Sequence, residues 1–233
     1  MLRVVLLASA AVAPAAARAA PITFAFTGHV VTVGSQLADV GAPFAVGQSV
    51  SGRYTFDGGS FDGAPSNPAE GLYSSLTSLD FAFGSYSGSG SASDGLTVFA
   101  VLNDFLPNLD TYDVLFFAHG PELLGSSPYL EVSLADHSGA AFTSDALPVV
   151  PPDLAAFDSA EVILGFATSG PAELARVHAQ IDSLVLVPEP ARSALAAAVV
   201  SLLCLTRAQV LRRSRQNARI ALFRTSAASH CRK

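Results

Sequence analysis

Cysteine is missing from residues 20–187 of this 233-residue chain; the two it has, Cys204 and Cys231, lie near the C-terminus. That excludes a disulfide framework for the bulk of the chain and removes the thiolates a structural zinc site commonly uses. Lysine occurs only as Lys233. Between residues 20 and 187 the cations are Arg53 and Arg176, against 18 Asp and Glu, a balance of −16. Phosphate contacts need Lys and Arg, so this stretch does not bind nucleic acid, and it is not drawn to anionic lipid headgroups. Tryptophan is absent and the one methionine is Met1. Sustained helical periodicity and internal repeats are lacking too. A stretch of about 168 residues still suffices for one core, burying roughly 70% of its unfolded surface. The fold must therefore rest on packing, with bound cations as the one available supplement.

What is present is alternation. In residues 22–33, Phe24, Phe26 and Val30 fall on one face and Thr23, Thr27 and His29 on the other, the pattern of a half-buried strand. Val50, Gly52, Tyr54 and Phe56 repeat it. Further strands are expected over 76–83, 96–102, 111–118, 129–135, 161–166 and 177–187. In the last, Val177, Ile181 and Val185 oppose His178, Gln180 and Asp182. Turn formers separate these runs: Asp57-Gly58-Gly59, Asp62-Gly63, Asp94-Gly95 and the glycine–serine stretch 84–95. Residues 146–152 are proline-rich and read as a connection, and 173–176 as a helical turn at most. Short strands punctuated this way predict an all-β fold, an antiparallel β-sandwich of jelly-roll-like form.

The two ends read as addresses. Arg3, the apolar residues 4–13 and Ala17-Arg18-Ala19 make a secretory signal peptide, cut between Ala19 and Ala20. At the other end Pro188-Glu189-Pro190 precedes an apolar run, 194–206, and then Arg207, Arg212, Arg213 and Arg215. Residues 191–233 hold nine basic residues and no acid. Charge split so sharply between segments marks different surroundings, and the arginines belong on the cytoplasmic side. The charge-free run has 13 residues, against the roughly 20 a spanning helix prefers. Residues up to Leu211 extend it, with Arg207 snorkelling to the interface. An ordinary single-span anchor or an amphipathic surface helix would also use the apolar run and the arginines.

Tripeptide, apolar span and basic stop, in that order, resemble the PEP-CTERM sorting signal of Gram-negative bacteria that make extracellular polysaccharide. The resemblance implies that Pro188, Glu189 and Pro190 are recognised by exosortase, an integral-membrane protease-transpeptidase, that 194–211 spans the inner membrane, and that Arg207, Arg212, Arg213 and Arg215 form the stop. This tail runs on for 18 residues past Arg215, longer than is usual in the family. A weaker echo of the β-rich ectodomains attached to such signals lies in the Val46-Gly47-Gln48 turn, the Ser51–Asp57 strand and Phe142-Thr143-Ser144-Asp145-Ala146-Leu147-Pro148. It implies a shared exported scaffold, not an activity. The expected organisation is a signal peptide at 1–19, an acidic β-sandwich ectodomain at 20–187, the sorting signal with its single membrane helix at 188–215 and a basic cytoplasmic extension at 216–233.

Catalytic patterns do not survive inspection. Gly84-Ser85-Tyr86-Ser87-Gly88 has tyrosine where a nucleophile elbow needs serine. Asp136-His137-Ser138 has triad residue types as sequence neighbours, whereas a triad assembles from separate segments; a polar turn accounts for it. His29, His119, His137 and His178 show no zinc-ligand spacing. Calcium fits better, since it takes hard oxygens from aspartates and loop carbonyls. Its candidates are Asp57 and Asp62, and Asp104, Asp110 and Asp113 beside Asn103; turn preference alone explains them equally well. A glycan-binding face would draw on Tyr73, Tyr86, Tyr112 and Tyr129, while Phe24, Phe26, Phe56, Phe81 and Phe83 go to the core. The expectation is a non-enzymatic exported protein that needs no cofactor, calcium being the one candidate. It would be anchored transiently in the inner membrane, processed by exosortase, and then structural or adhesive at the cell surface or outside the cell. A carbohydrate-binding module for extracellular polysaccharide is the alternative.

Overall fold

The computed structural model describes residues 20–93, 97–167, 171 and 175–188. Ala19, Glu189, Pro190, the apolar run and Arg207, Arg212, Arg213 and Arg215 lie outside the described residues, as do Asp94-Gly95 and Glu173. The chain divides into two compact units, Met1–Pro188 and Glu189–Lys233, and every described residue belongs to the first. Among the described residues no helix is long and apolar enough to cross a membrane.

The fold is all-β. Its strands are β1 (Pro21–Val33), β2 (Ser49–Asp57), β3 (Glu70–Tyr73), β4 (Leu76–Phe83), β5 (Tyr86–Ser91), β6 (Thr97–Leu106), β7 (Leu109–Phe117), β8 (Pro128–Asp136), β9 (Ser159–Phe166) and β10 (Arg176–Leu186). A five-residue helix, α1 (Ser35–Asp39), follows β1 and buries Leu37. The strands form one antiparallel sheet in the order β3-β6-β7-β8-β9-β10-β1-β2-β4-β5.

The sheet curls so that one face closes on itself. Phe56 on β2 meets Phe99 on β6 at 5.1 Å between ring centroids, although these strands are far apart in the sheet order. Phe24, Tyr54, Phe81, Phe83, Tyr112 and Phe116 complete an aromatic interior, each no more than 4% exposed. Edge-to-face contacts dominate, as at Phe24–Phe56 and Phe99–Tyr112, and each ring removed from water is worth roughly 1.5–3 kcal/mol. All five phenylalanines assigned to the core from the sequence are in it.

Two strands depart from the sequence reading. β5 occupies part of the glycine–serine stretch expected to be a turn. Its glycines serve close approach: a Cβ on Gly88 would stand 2.5 Å from Phe81 and 2.7 Å from the His119 carbonyl, and one on Gly90 2.9 Å from Phe116. Ser89 and His119 exchange backbone hydrogen bonds of 2.9 and 2.6 Å, tying this edge to the segment after β7. β3, four residues long, forms the other edge. The Asp62 carboxylate accepts from the Leu72 amide at 2.9 Å and the Gly63 amide donates to the Leu72 carbonyl at 2.7 Å, so that edge is covered too.

One face assignment is also corrected. The register of β1 on β10 shifts between Thr27↔Ser183 and Gly28↔Ile181, leaving Asp182 as an extra residue. Such a bulge reverses the alternation beyond it. Leu184 is therefore buried at 8% exposure, while Val185, expected beside Val177 and Ile181, is 52% exposed.

Candidate functional site

The calcium candidates are spread over the fold, and Asp57, Asp62 and Asp110 brace loops. Asp57 accepts from the Gly59 amide at 2.9 Å, and Asp62 from those of Ala64 and Leu72 at 2.8 and 2.9 Å. Asp110 and Asp113 lie on opposite faces of β7, because odd and even residues of a strand point apart. Asp113 accepts from the hydroxyls of Ser133 at 2.6 Å and Thr111 at 2.8 Å; its desolvation outweighs these bonds and pushes its pKa up.

Asp110 faces inward, directly across the ladder from Asp136 on β8, and both are buried. Backbone amides supply what water would. Asp110 accepts from Asp104 N at 3.0 Å and Phe142 N at 2.7 Å. Asp136 accepts from Ser138 N at 2.8 Å, Ser138 Oγ at 2.7 Å, Ala140 N at 2.8 Å and Ala141 N at 2.9 Å. The Ser138 amide and then its hydroxyl lead in drawing the Asp136 pKa down to about 2, with the Ala140 amide next. The two carboxylates thus pin the loop after β8 onto the end of the core. Asp104 and Asn108 beside them adopt left-handed backbone, φ 55° and 59°, which Asp and Asn tolerate. Among the described residues no group of three or more His, Cys, Asp and Glu is placed to hold a metal ion.

The Asp136-His137-Ser138 sequence is the capping turn of that loop. The Ser138 hydroxyl donates to Asp136, and His137 Nδ1 faces Asp158 at 3.4 Å. His29 and His178 stand on outer strand faces against Asp182 and Glu161, at 3.2 and 3.0 Å.

The expected tyrosine row is not at the surface. Tyr73, Tyr86 and Tyr112 are 7, 3 and 0% exposed, so these three do not form a glycan face. They fall on inward positions, and each hydroxyl finds a partner: Tyr73 donates to the Asp145 carbonyl at 2.9 Å, Tyr86 to that of Pro121 at 2.8 Å, and Tyr112 pairs with Tyr54. Tyr129 alone reaches the outer face. Its ring lies against Gly165, where a Cβ would come within 2.1 Å of it. Arg176 Nε donates to its hydroxyl at 2.7 Å, and half-exposed Phe117 sits 6.4 Å away.

The other arginine marks a surface depression of about 420 Å³ on the outer face of β1, β2 and β4. Thr27, Ser51 and Ala82 keep its floor low, and Arg53 reaches Asp80 at 3.0 Å along one side. The depression is open to solvent, so this ion pair is worth no more than about 1 kcal/mol. Sequence reasoning named Tyr129 but gave neither Arg53 nor Arg176 a role; the rarity of arginine in an acidic stretch was the available signal. Comparison with protein-family models, curated proteins and solved structures finds no match to the chain.

Proposed function

We propose that the chain is an exported surface or extracellular-matrix protein, sorted and cut through its C-terminal PEP-CTERM-like segment. The curled sheet would act as a jelly-roll-like sandwich with a structural or adhesive role. The observation that carries this is the order of Pro188-Glu189-Pro190, the apolar run 194–206 and the arginines Arg212, Arg213 and Arg215. The position of the motif supports it: β10 ends at Leu186, so a cut at 188–190 leaves every strand intact. The role is presentation, not chemistry. Replacing Pro188-Glu189-Pro190 by three alanines in a host with exosortase should leave the protein in the inner membrane at unprocessed mass. Normal trimming and release of that variant would refute the reading.

Carbohydrate binding is the second reading, favoured by Phe117, Tyr129 and Arg176 on one outer face. Aromatic rings beside hydrogen-bonding groups suit sugars. Residues 20–187 should then bind the host's extracellular polysaccharide saturably and lose it on Tyr129→Ala. Loss under chelator would add calcium to the site, and absence of binding would leave the scaffold role alone.

A further inference from the structure

Exposed apolar side chains gather at the end of the sheet where the chain enters and leaves it. Pro21 pairs with Asp57, and the Val187 amide donates to the Thr23 carbonyl at 2.9 Å. The first strand, the last strand and the loop after β2 therefore share this end. Phe61 in that loop is 86% exposed. Val149 Cγ1 would lie 3.5 Å from a Cβ on Gly58, which brings Val149 and Val150, 54 and 67% exposed, to the same end. Asp57 and Asp62 brace the loop backbone on either side of Phe61 through the amides of Gly59, Ala64 and Leu72.

Exposure alone does not single out this end, since Val40 and Val46 are exposed beyond the opposite end of the β1–β2 ladder. What distinguishes it is the chain that follows. Six residues, 188–193, separate Val187 from the apolar run. At no more than about 3.6 Å each they reach about 20 Å.

We propose that in the anchored precursor this end of the domain rests on a lipid surface, with Phe61 in the interface and Val149 and Val150 beside it. The proposal rests on the sorting reading, because the segment 194–211 is what brings lipid to this end. The surface it fits is zwitterionic: Asp57 and Asp62 flank the ring, and the net negative charge of residues 20–187 opposes anionic headgroups. One phenylalanine and two valines are too little apolar area for stable association from solution. A short tether makes the encounter intramolecular, at an effective concentration in the millimolar range. The contact holds Pro188 close to the membrane, within reach of a membrane-embedded protease. Cleavage removes the tether, and the domain lets go.

The chain has no tryptophan, so an introduced one reports alone. The full chain carrying Phe61→Trp, reconstituted in phosphatidylcholine vesicles with brominated acyl chains, should show blue-shifted and strongly quenched emission. Val150→Trp should behave alike and covers the case in which the first variant misfolds; Val46→Trp should remain solvent-like. Solvent-like emission at both 61 and 150, or equal quenching at 46, in a chain that resists alkaline extraction overturns the lipid contact and leaves the sorting reading standing. A chain that alkaline carbonate washes from the vesicles overturns both.

Discussion

The hydroxyls of Tyr54 and Tyr112 meet in the core, 2.5 Å apart, with neither side chain exposed to solvent. Tyr54 belongs to β2 and Tyr112 to β7, strands that share no ladder. The bond therefore joins two parts of the sheet that only its curling brings together. Each hydroxyl has the other as its partner, and the surroundings are phenylalanine rings.

Removing one hydroxyl should cost more than removing both. Tyr54→Phe or Tyr112→Phe leaves a buried polar group unpaired, a loss of about 1–3 kcal/mol. The double variant leaves none and should recover most of that loss in urea unfolding. Additive losses would mean that the two hydroxyls do not depend on each other.

The same burial sets an alkaline limit. Desolvation raises the pKa of both residues above the usual 10, and that of Tyr86 to about 12. A raised folded-state value contributes stability that is complete below pH 10 and lost as pH rises beyond it. Phenolate absorbance from these three tyrosines should therefore appear together with unfolding above pH 10. Its appearance while the fold persists would contradict the burial.

Asp136 acts at the other end of the pH scale. Its folded pKa of about 2 lies below the unfolded value of about 3.9, so its contribution is present above pH 4 and lost as pH falls toward 2. Asp136→Asn should lower Tm at pH 7, with the difference from the parent closing between pH 4 and 2. Asp113, whose pKa is raised, contributes with the opposite sign. A pH-independent deficit in Asp136→Asn would show that packing, not charge, holds the loop.

Gly88→Val should detach β5. The added side chain collides with Phe81 and the His119 carbonyl, and overpacking of this kind costs typically 1–3 kcal/mol. Faster amide exchange at Ser89 and a tendency to associate through the freed edge are the expected signs. Unchanged exchange at Ser89 would refute the close approach.

The strands legible in the sequence are those with one apolar and one polar face. β4 has the expected limits, Leu76–Phe83, and the inward series Val50, Tyr54 and Phe56 on β2 is as read. β5 escaped notice because, after Tyr86, its inward positions Gly88 and Gly90 are filled by the rings of Phe81 and Phe116 instead of its own side chains, so Gly and Ser carry no periodic signal. Val185 was assigned to the wrong face because a bulge depends on the partner strand, which a single segment does not reveal. The turn at Asp136 was readable locally; its partnership with Asp110 was not, because register between β7 and β8 sets it. Tyr73 and Tyr86 were misassigned since a phenol can be buried once its tip finds a carbonyl, and those carbonyls lie in distant loops; Tyr112 is buried against the Tyr54 hydroxyl.

The seam at the middle of the sheet joins β1 to β10, with Phe24 opposite Leu186. Its first half, β1, precedes every other strand in the chain, and its second, β10, follows them all. Contacts this far apart in sequence form slowly, and none of them can form before the last strand is present. Nascent chains of this protein therefore remain unclosed until residue 186 is free to dock. Until then β9 and β1 lack the strand that lies between them, and the sheet stays in two parts, β3-β6-β7-β8-β9 and β1-β2-β4-β5.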